Sequence, residues 1–198
     1  MQWIQPLEAL PEGEIRDIGG KGAALYRLWA GGIRIPRTLC ITTQAYRDFV
    51  DCGGMREKIH LELSRKEFDE MRWEEIWDAS QRLRLLFMRS PIPPKMETAM
   101  RQAIEHIFGD RATVVRSSAP DEDLRGQSFA GLHASYTHVH DCEALLRNIR
   151  RVWASLWSDA ALLYRQELGL DTVSSAMAVL VQEMVPGQAS GICFTRDP

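Results

Sequence analysis

The chain has 198 residues, 45% hydrophobic and 26% charged, with a net charge of −3, an ordinary balance for a soluble globular protein that can bury a core. This composition carries no electrostatic footprint for nucleic acid, and no apolar run approaches the ~20 residues needed to cross a bilayer. The first ten residues lack the basic-then-apolar order of a secretory signal, and four scattered cysteines (Cys40, Cys52, Cys142, Cys193) without a C-x-x-C pair fit a reducing cytoplasm rather than a disulfide or zinc framework.

The first signal along the chain is a glycine-punctuated turn, Asp17-Ile18-Gly19-Gly20-Lys21-Gly22, leading into a helix over 23–30 that Gly31 and Gly32 close. Residues 39–42 read as a short strand, after which Thr43 is placed to cap a helix through Val50. The stretch 56–71 is charged and carries no clear period. Trp73, Ile76, Trp77, Leu83 and Phe87 fall near a 3.6-residue period and predict a helix with one apolar face. Pro93 and Pro94 interrupt it and open a further helix that ends at Gly109. The six tryptophans sit mostly at core spacing and read as packing residues.

From residue 112 the texture changes. Thr113-Val114-Val115-Arg116-Ser117 is β-rich and breaks at Ala119-Pro120, followed by an acidic loop, Asp121-Glu122-Asp123, and by Ser128-Phe129-Ala130-Gly131. Residues 134–139 read as a strand. An amphipathic helix comes next, with Leu145, Ile149, Val152, Trp153 and Leu156 on one face and Arg147, Arg150 and Arg151 off it. Asp159 is placed to cap another helix ending at Gly169, and strands over 176–184 and 191–194 follow, separated by the turn at Pro186-Gly187. Runs of helix followed by mixed strands and helices predict an α+β fold. The change of texture divides it into a mostly helical lobe, 1–110, and a mixed strand/helix lobe, 111–198.

Four constellations could carry chemistry. In Gly19-Gly20-Lys21-Gly22, glycines permit close backbone approach, a helix N-terminus offers N–H groups and Lys21 a point charge, as a phosphate requires; the spacing is not that of a Walker A loop, and an ordinary turn with a solvated lysine fits equally. Arg116, at the end of an apolar strand, needs partners for its five donors. A polyphosphate would satisfy them in bidentate fashion, as would Asp121 or Asp123. The loop from Ser128 through Gly131 to Ser135 can close over phosphates with backbone N–H groups and the Ser135 hydroxyl, or be a tight hairpin. Gln182-Glu183 interrupts the apolar strand Val179-Leu180-Val181 and can read the polar edge of an adenine, or mark an edge strand turning to solvent. His138 and His140 share a strand face but have no third ligand at metal-binding spacing, so no metal site is expected.

The order and spacing of these blocks resemble the N-terminal, PEP/pyruvate-binding-type ATP-binding domain of the phosphoenolpyruvate synthase, pyruvate phosphate dikinase and rifampicin phosphotransferase family. The resemblance is carried by Gly19-Gly20-Lys21-Gly22-Ala23-Ala24-Leu25, by Ile35-Pro36 with Ile41-Thr42-Thr43-Gln44-Ala45-Tyr46, and by Val115-Arg116-Ser117-Ser118-Ala119 with Glu122-Asp123-Leu124. It continues in Ser128-Phe129-Ala130-Gly131, Val181-Gln182-Glu183-Met184-Val185 and the segment from Ser190 to Pro198. Residues 52–110 alone carry no recognisable match.

The resemblance implies an ATP-grasp-like architecture, incomplete here: a first lobe and part of the second. It implies that Lys21 and Arg116 contact the ATP phosphates as the catalytic cations. It places Gly131 and Ser135 in the loop covering those phosphates and Gln182 beside the adenine; family members often carry Thr where this chain has Ser135. In the family, phosphoryl transfer rests on positioning and charge neutralisation. The ligands of Mg²⁺, the phosphohistidine domain and the domain that binds pyruvate are expected beyond Pro198, so this chain alone is expected to be inactive. The expected parent activity moves phosphoryl groups from ATP through a histidine to pyruvate. A rifampicin-phosphotransferase-like antibiotic kinase is the alternative acceptor reading, and a stand-alone nucleotide-binding or regulatory module the alternative of another class. The expected location is cytoplasmic, with ATP as ligand and no nucleic-acid or membrane partner.

Overall fold

The most apolar strand of the chain lies at the centre of its sheet. In the computed structural model, which describes residues 3–66, 70–120, 134–169, 175–189 and 191, Ala178–Glu183 (β5) is flanked by Thr38–Ile41 (β2) and Thr113–Ser118 (β3). Ile4–Pro6 (β1) and Ser135–Val139 (β4) complete the order β1-β2-β5-β3-β4, and every pairing is antiparallel. Both faces of β5 are covered, which explains the unbroken run Val179-Leu180-Val181. The β2–β5 pairing joins strands from the two sides of residue 110 in one sheet. The fold is mixed helix and antiparallel sheet, the α+β class that the order of elements predicts.

Alternation along the strands separates two faces. Leu39, Ile41, Val115, Val179 and Val181 enter the larger core. Thr43–Asp51 (α2), Met55–Leu63 (α3), Trp73–Arg89 (α4), Pro94–Phe108 (α5), Cys142–Ser155 (α6) and Asp159–Glu167 (α7) contribute to it. Its centre is aromatic: Phe49 and Trp153 lie 4.9 Å apart between ring centroids, and Trp157 Nε1 donates to the Tyr46 hydroxyl at 3.0 Å. Rings of this size dominate core energetics, and the buried indole N–H has the partner it requires. Cys40 and Leu180 point the other way, into a smaller cluster with Leu7, Leu10 and Ile18 against Gly19–Ala30 (α1).

Several boundaries differ from the sequence reading for local reasons. α1 begins at Gly19 rather than Ala23, because its first turn is pinned to the end of β3. Thr42, not Thr43, caps α2 by accepting from the Ala45 N–H at 3.3 Å, and the Thr43 hydroxyl bonds Asp17 instead. Ser158, one residue before the expected Asp159, caps α7. The 56–71 stretch, which predicted no element, includes most of α3. On α4 the core face is Ile76, Ala79, Ser80, Leu83 and Phe87, whereas Trp73 and Trp77 are 57% and 44% exposed on the adjoining stripe. Trp29 is exposed as well, so packing accounts for Trp153, Trp157 and the half-buried Trp3 but not for the other three tryptophans. The expected strand over 191–194 falls almost wholly outside the described residues.

Candidate functional site

The Gly-Gly-Lys-Gly segment joins α1 to the end of β3. Ser118 Oγ donates to the Ile18 carbonyl at 2.6 Å and accepts from the Gly22 N–H at 3.0 Å, and the Gly20 N–H donates to the Ala119 carbonyl at 3.0 Å. A Cβ on Gly19 would lie 2.1 Å from the Ser118 carbonyl oxygen. Gly19 also holds φ +69° with ψ 177°, a region open essentially to glycine alone. The sequence suggested that this helix start presents its N–H groups to a ligand. The N–H groups of Gly20 and Gly22 are instead taken by Ala119 and Ser118 at the end of β3.

That packing sets the position of Lys21. Its Nζ lies 3.3 Å from the Ser117 carbonyl oxygen and 3.5 Å from Ser117 Oγ, one residue along β3 from Arg116. Lys21 thus reaches the strand position next to Arg116, a residue 95 positions away in the sequence. Arg116 stands on the face of the sheet opposite Val115, directly across from Leu180 on β5 and from Ser135 on β4. Ser135 is exposed at the start of that strand.

Gln182 lies on the same face of β5 as Leu180 and is only 5% exposed. Its Oε1 accepts from Arg116 Nη1 at 3.2 Å, and its Nε2 donates to Thr38 Oγ1 at 3.1 Å. Thr38 in turn donates to the Pro36 carbonyl at 2.9 Å. Arg116 therefore has a side-chain partner that sequence reasoning did not name. The alternatives it did name, Asp121 and Asp123, lie outside the described residues, as does Gly131. Arg116, Ser135 and Gln182 adjoin across β3, β4 and β5, and Lys21 reaches Ser117 next to Arg116; Thr38 and Ser118 are the contributors that were missed. Ser118 stood inside the quoted motif without a role, and only the β2–β5 register reveals Thr38.

Beyond Thr38 and Gln182 the sheet opens into a cleft of about 730 Å³, lined by Arg34, Ile35, Pro36 and Arg37 on one side and by Glu183, Met184, Val185 and Pro186 on the other. Arg37 and Arg111 flank Glu183 at 3.7 and 3.4 Å. A groove that combines Ile35, Pro36, Met184, Val185 and Pro186 with a few polar groups suits a flat heterocycle.

Other candidates contribute nothing to this site. Burial, with a smaller effect of Glu8, pushes the Cys40 thiol well above its ordinary value, so Cys40 is a protonated core residue rather than a nucleophile. His138 and His140 are exposed. Among the described residues no group of three His, Cys, Asp or Glu side chains is placed to hold a metal ion, and no helix is long and apolar enough to cross a membrane.

The family model described as "Pyruvate phosphate dikinase, AMP/ATP-binding domain" matches residues 15–198. Over its whole length the chain is 38% identical to a rifampicin phosphotransferase of Streptomyces sviceus, covering 23% of that protein. It is 37% identical across 91% of its length to a phosphoenolpyruvate synthase of Aeropyrum pernix, again covering 23%. A probable phosphoenolpyruvate synthase of Methanocaldococcus jannaschii is 31% identical across the whole chain, which covers 17% of it. The chain thus spans about a quarter or less of the length of these curated relatives.

Proposed function

This chain belongs to the pyruvate phosphate dikinase AMP/ATP-binding domain family, and on that premise we propose that Lys21 and Arg116 hold the phosphates of ATP at the end of β3. The observation that carries the reading is the reach of Lys21 onto β3: its Nζ is 3.3 Å from the carbonyl of Ser117, the neighbour of Arg116. Arginine supplies a planar fork for bidentate phosphate contact and lysine a compact charge. The base occupies the cleft beside Gln182, between the 34–37 and 183–186 segments, while Ser135 and Gly131 cover the phosphates. The architecture is ATP-grasp-like.

Phosphoryl transfer needs its groups positioned and its developing charge neutralised more than it needs covalent chemistry from the protein. Lys21 and Arg116 supply fixed positive charge for that purpose. Mg²⁺ accompanies ATP in such reactions, but the described side chains nearest the phosphate end are cations and hydroxyls, a poor ligand set for a hard dication. We place its ligands outside the described residues.

The full reaction we propose is transfer from ATP through a histidine to pyruvate, in keeping with the phosphoenolpyruvate synthases among the relatives. The 38% identity to a rifampicin phosphotransferase supports a second acceptor reading, an antibiotic kinase. Calorimetric titration with MgATP, AMP and adenosine tests the shared element. Affinity should fall as phosphates are removed, by about 1.5–3 kcal/mol for each charged hydrogen-bonding partner lost. Equal affinity for MgATP and adenosine would refute a phosphate clamp. ATP consumption dependent on pyruvate or on rifampicin, in a polypeptide that includes this domain, separates the two acceptors.

A further inference from the structure

The chain of hydrogen bonds that crosses three strands on the cation-bearing face has a direction fixed at both ends. The Pro36 carbonyl can only accept, and the Arg116 guanidinium can only donate. Thr38 must therefore spend its single O–H on Pro36, at 2.9 Å, leaving its oxygen as an acceptor. Only the NH₂ of the Gln182 amide can satisfy that acceptor, at 3.1 Å. The amide oxygen then faces Arg116 Nη1, at 3.2 Å. Thr38 is 1% exposed and Gln182 5%, so bulk water is shut out from replacing either partner.

We propose that Thr38 is a positioning residue for ATP binding, setting the amide orientation of Gln182 so that its oxygen holds the Arg116 guanidinium in place for the phosphates. The proposal rests on the phosphate role given to Arg116 above. Without the Thr38 hydroxyl, the Gln182 NH₂ loses its acceptor and the Pro36 carbonyl its donor. The amide is then free to turn, and its other orientation sets NH₂ against guanidinium, two donors face to face. Thr38 sits at the end of β2 and pairs with Gln182 in register. One end of the relay also borders the cleft, since Pro36 lines it. The wall of the base cleft and the phosphate-binding arginine are thus connected through two buried side chains.

Thr38→Val keeps the β-branched shape and removes only the hydroxyl; Thr38→Ser restores it. MgATP and adenosine are titrated into the wild-type chain, both variants, Arg116→Ala and the Thr38→Val/Arg116→Ala double variant. Rotation of the Arg116 guanidinium is followed in parallel by ¹⁵N-arginine NMR. Thr38→Val should weaken MgATP on the order of threefold to tenfold, weaken adenosine less, since it lacks the phosphates that Arg116 holds, and speed the guanidinium rotation. Thr38→Ser should behave as wild type, and Thr38→Val should cost nothing further once Arg116 is alanine. Wild-type MgATP affinity and unchanged rotation in Thr38→Val, with Arg116→Ala impaired, would overturn the inference and leave the phosphate role standing. If the wild-type chain binds no MgATP, or Arg116→Ala binds it as tightly as wild type, the phosphate role falls and the inference with it. Should Thr38→Val fail to fold, rotation in the wild-type and serine proteins decides: restricted motion in both supports the relay, and free rotation in the wild type refutes it.

Discussion

Replacing Gly19 with alanine tests the joint between α1 and β3 at its tightest point. The added methyl would sit 2.1 Å from the Ser118 carbonyl oxygen, 2.5 Å from its carbon and 2.6 Å from its Oγ. None of these atoms except Oγ can move without shifting the backbone. Gly19 also occupies φ +69°, ψ 177°, which costs a non-glycine residue about 1–3 kcal/mol. Relieving the contact pulls the Gly20 and Gly22 N–H groups off Ala119 and Ser118, at a net ~0.5–1.5 kcal/mol each. The expected loss is about 2–6 kcal/mol from these effects together. Two other glycines separate the causes. Gly32 holds φ +79° with no atom within 4 Å of an added Cβ, so Gly32→Ala should cost only the conformational part, about 1–2 kcal/mol. Gly13 has neither constraint, and Gly13→Ala should be neutral or stabilise by up to about 1 kcal/mol. Urea unfolding provides the assay, with a lower midpoint and an unchanged m-value as the signature. If Gly19→Ala lost no more than Gly32→Ala, the close approach of α1 to β3 would be refuted.

Ser118→Ala removes both bonds that Ser118 makes to the helix start and should destabilise by about 1–3 kcal/mol; weakened MgATP binding should accompany it, because Lys21 is held by the same joint. In the core, Trp153→Ala should cost about 3–5 kcal/mol, whereas Trp73→Ala, at a 57% exposed position, should stay within about 0.5 kcal/mol; urea midpoints of the two variants check this. The alkaline behaviour follows from Cys40 and Tyr46, both raised by burial. An unfolded thiol ionises near about 8.5 and an unfolded phenol near about 10, while the folded groups keep their protons, so stability is intact below those values and falls as pH rises through them. The slope should approach ~1.4 kcal/mol per pH unit for each group, and Tyr46→Phe should flatten it above about pH 10. A pH-independent midpoint from pH 8 to 11 would refute the burial of both.

Much of the fold was legible because periodicity reports burial. The apolar face of α6 and the strand at β5 follow from Leu145, Ile149, Val152 and Trp153 and from Val179-Leu180-Val181; that β5 is central rather than an edge strand shows only in its pairing with β2 and β3. Periodicity failed where a large aromatic side chain stood one stripe off the core, as with Trp73 and Trp77. It also failed where a glycine pair belonged inside a helix: Gly20 and Gly22 read as a turn, yet tertiary contact with Ser118 makes them the first turn of α1. The cations of the site were visible as residues out of place, Arg116 in an apolar strand and Lys21 among glycines. That Lys21 reaches the strand carrying Arg116 was not visible, since it depends on a contact 96 positions apart in sequence. Thr38 left no local mark, because its role exists only through Gln182, 144 positions away.

The most direct measurement of the central claim is calorimetric titration of MgATP into the wild-type chain beside Lys21→Ala and Arg116→Ala, each first shown to unfold with a wild-type m-value. The phosphate-clamp account predicts that each variant loses about 1.5–3 kcal/mol of binding free energy, roughly tenfold to 150-fold in Kd. Wild-type affinity in both folded variants would contradict it.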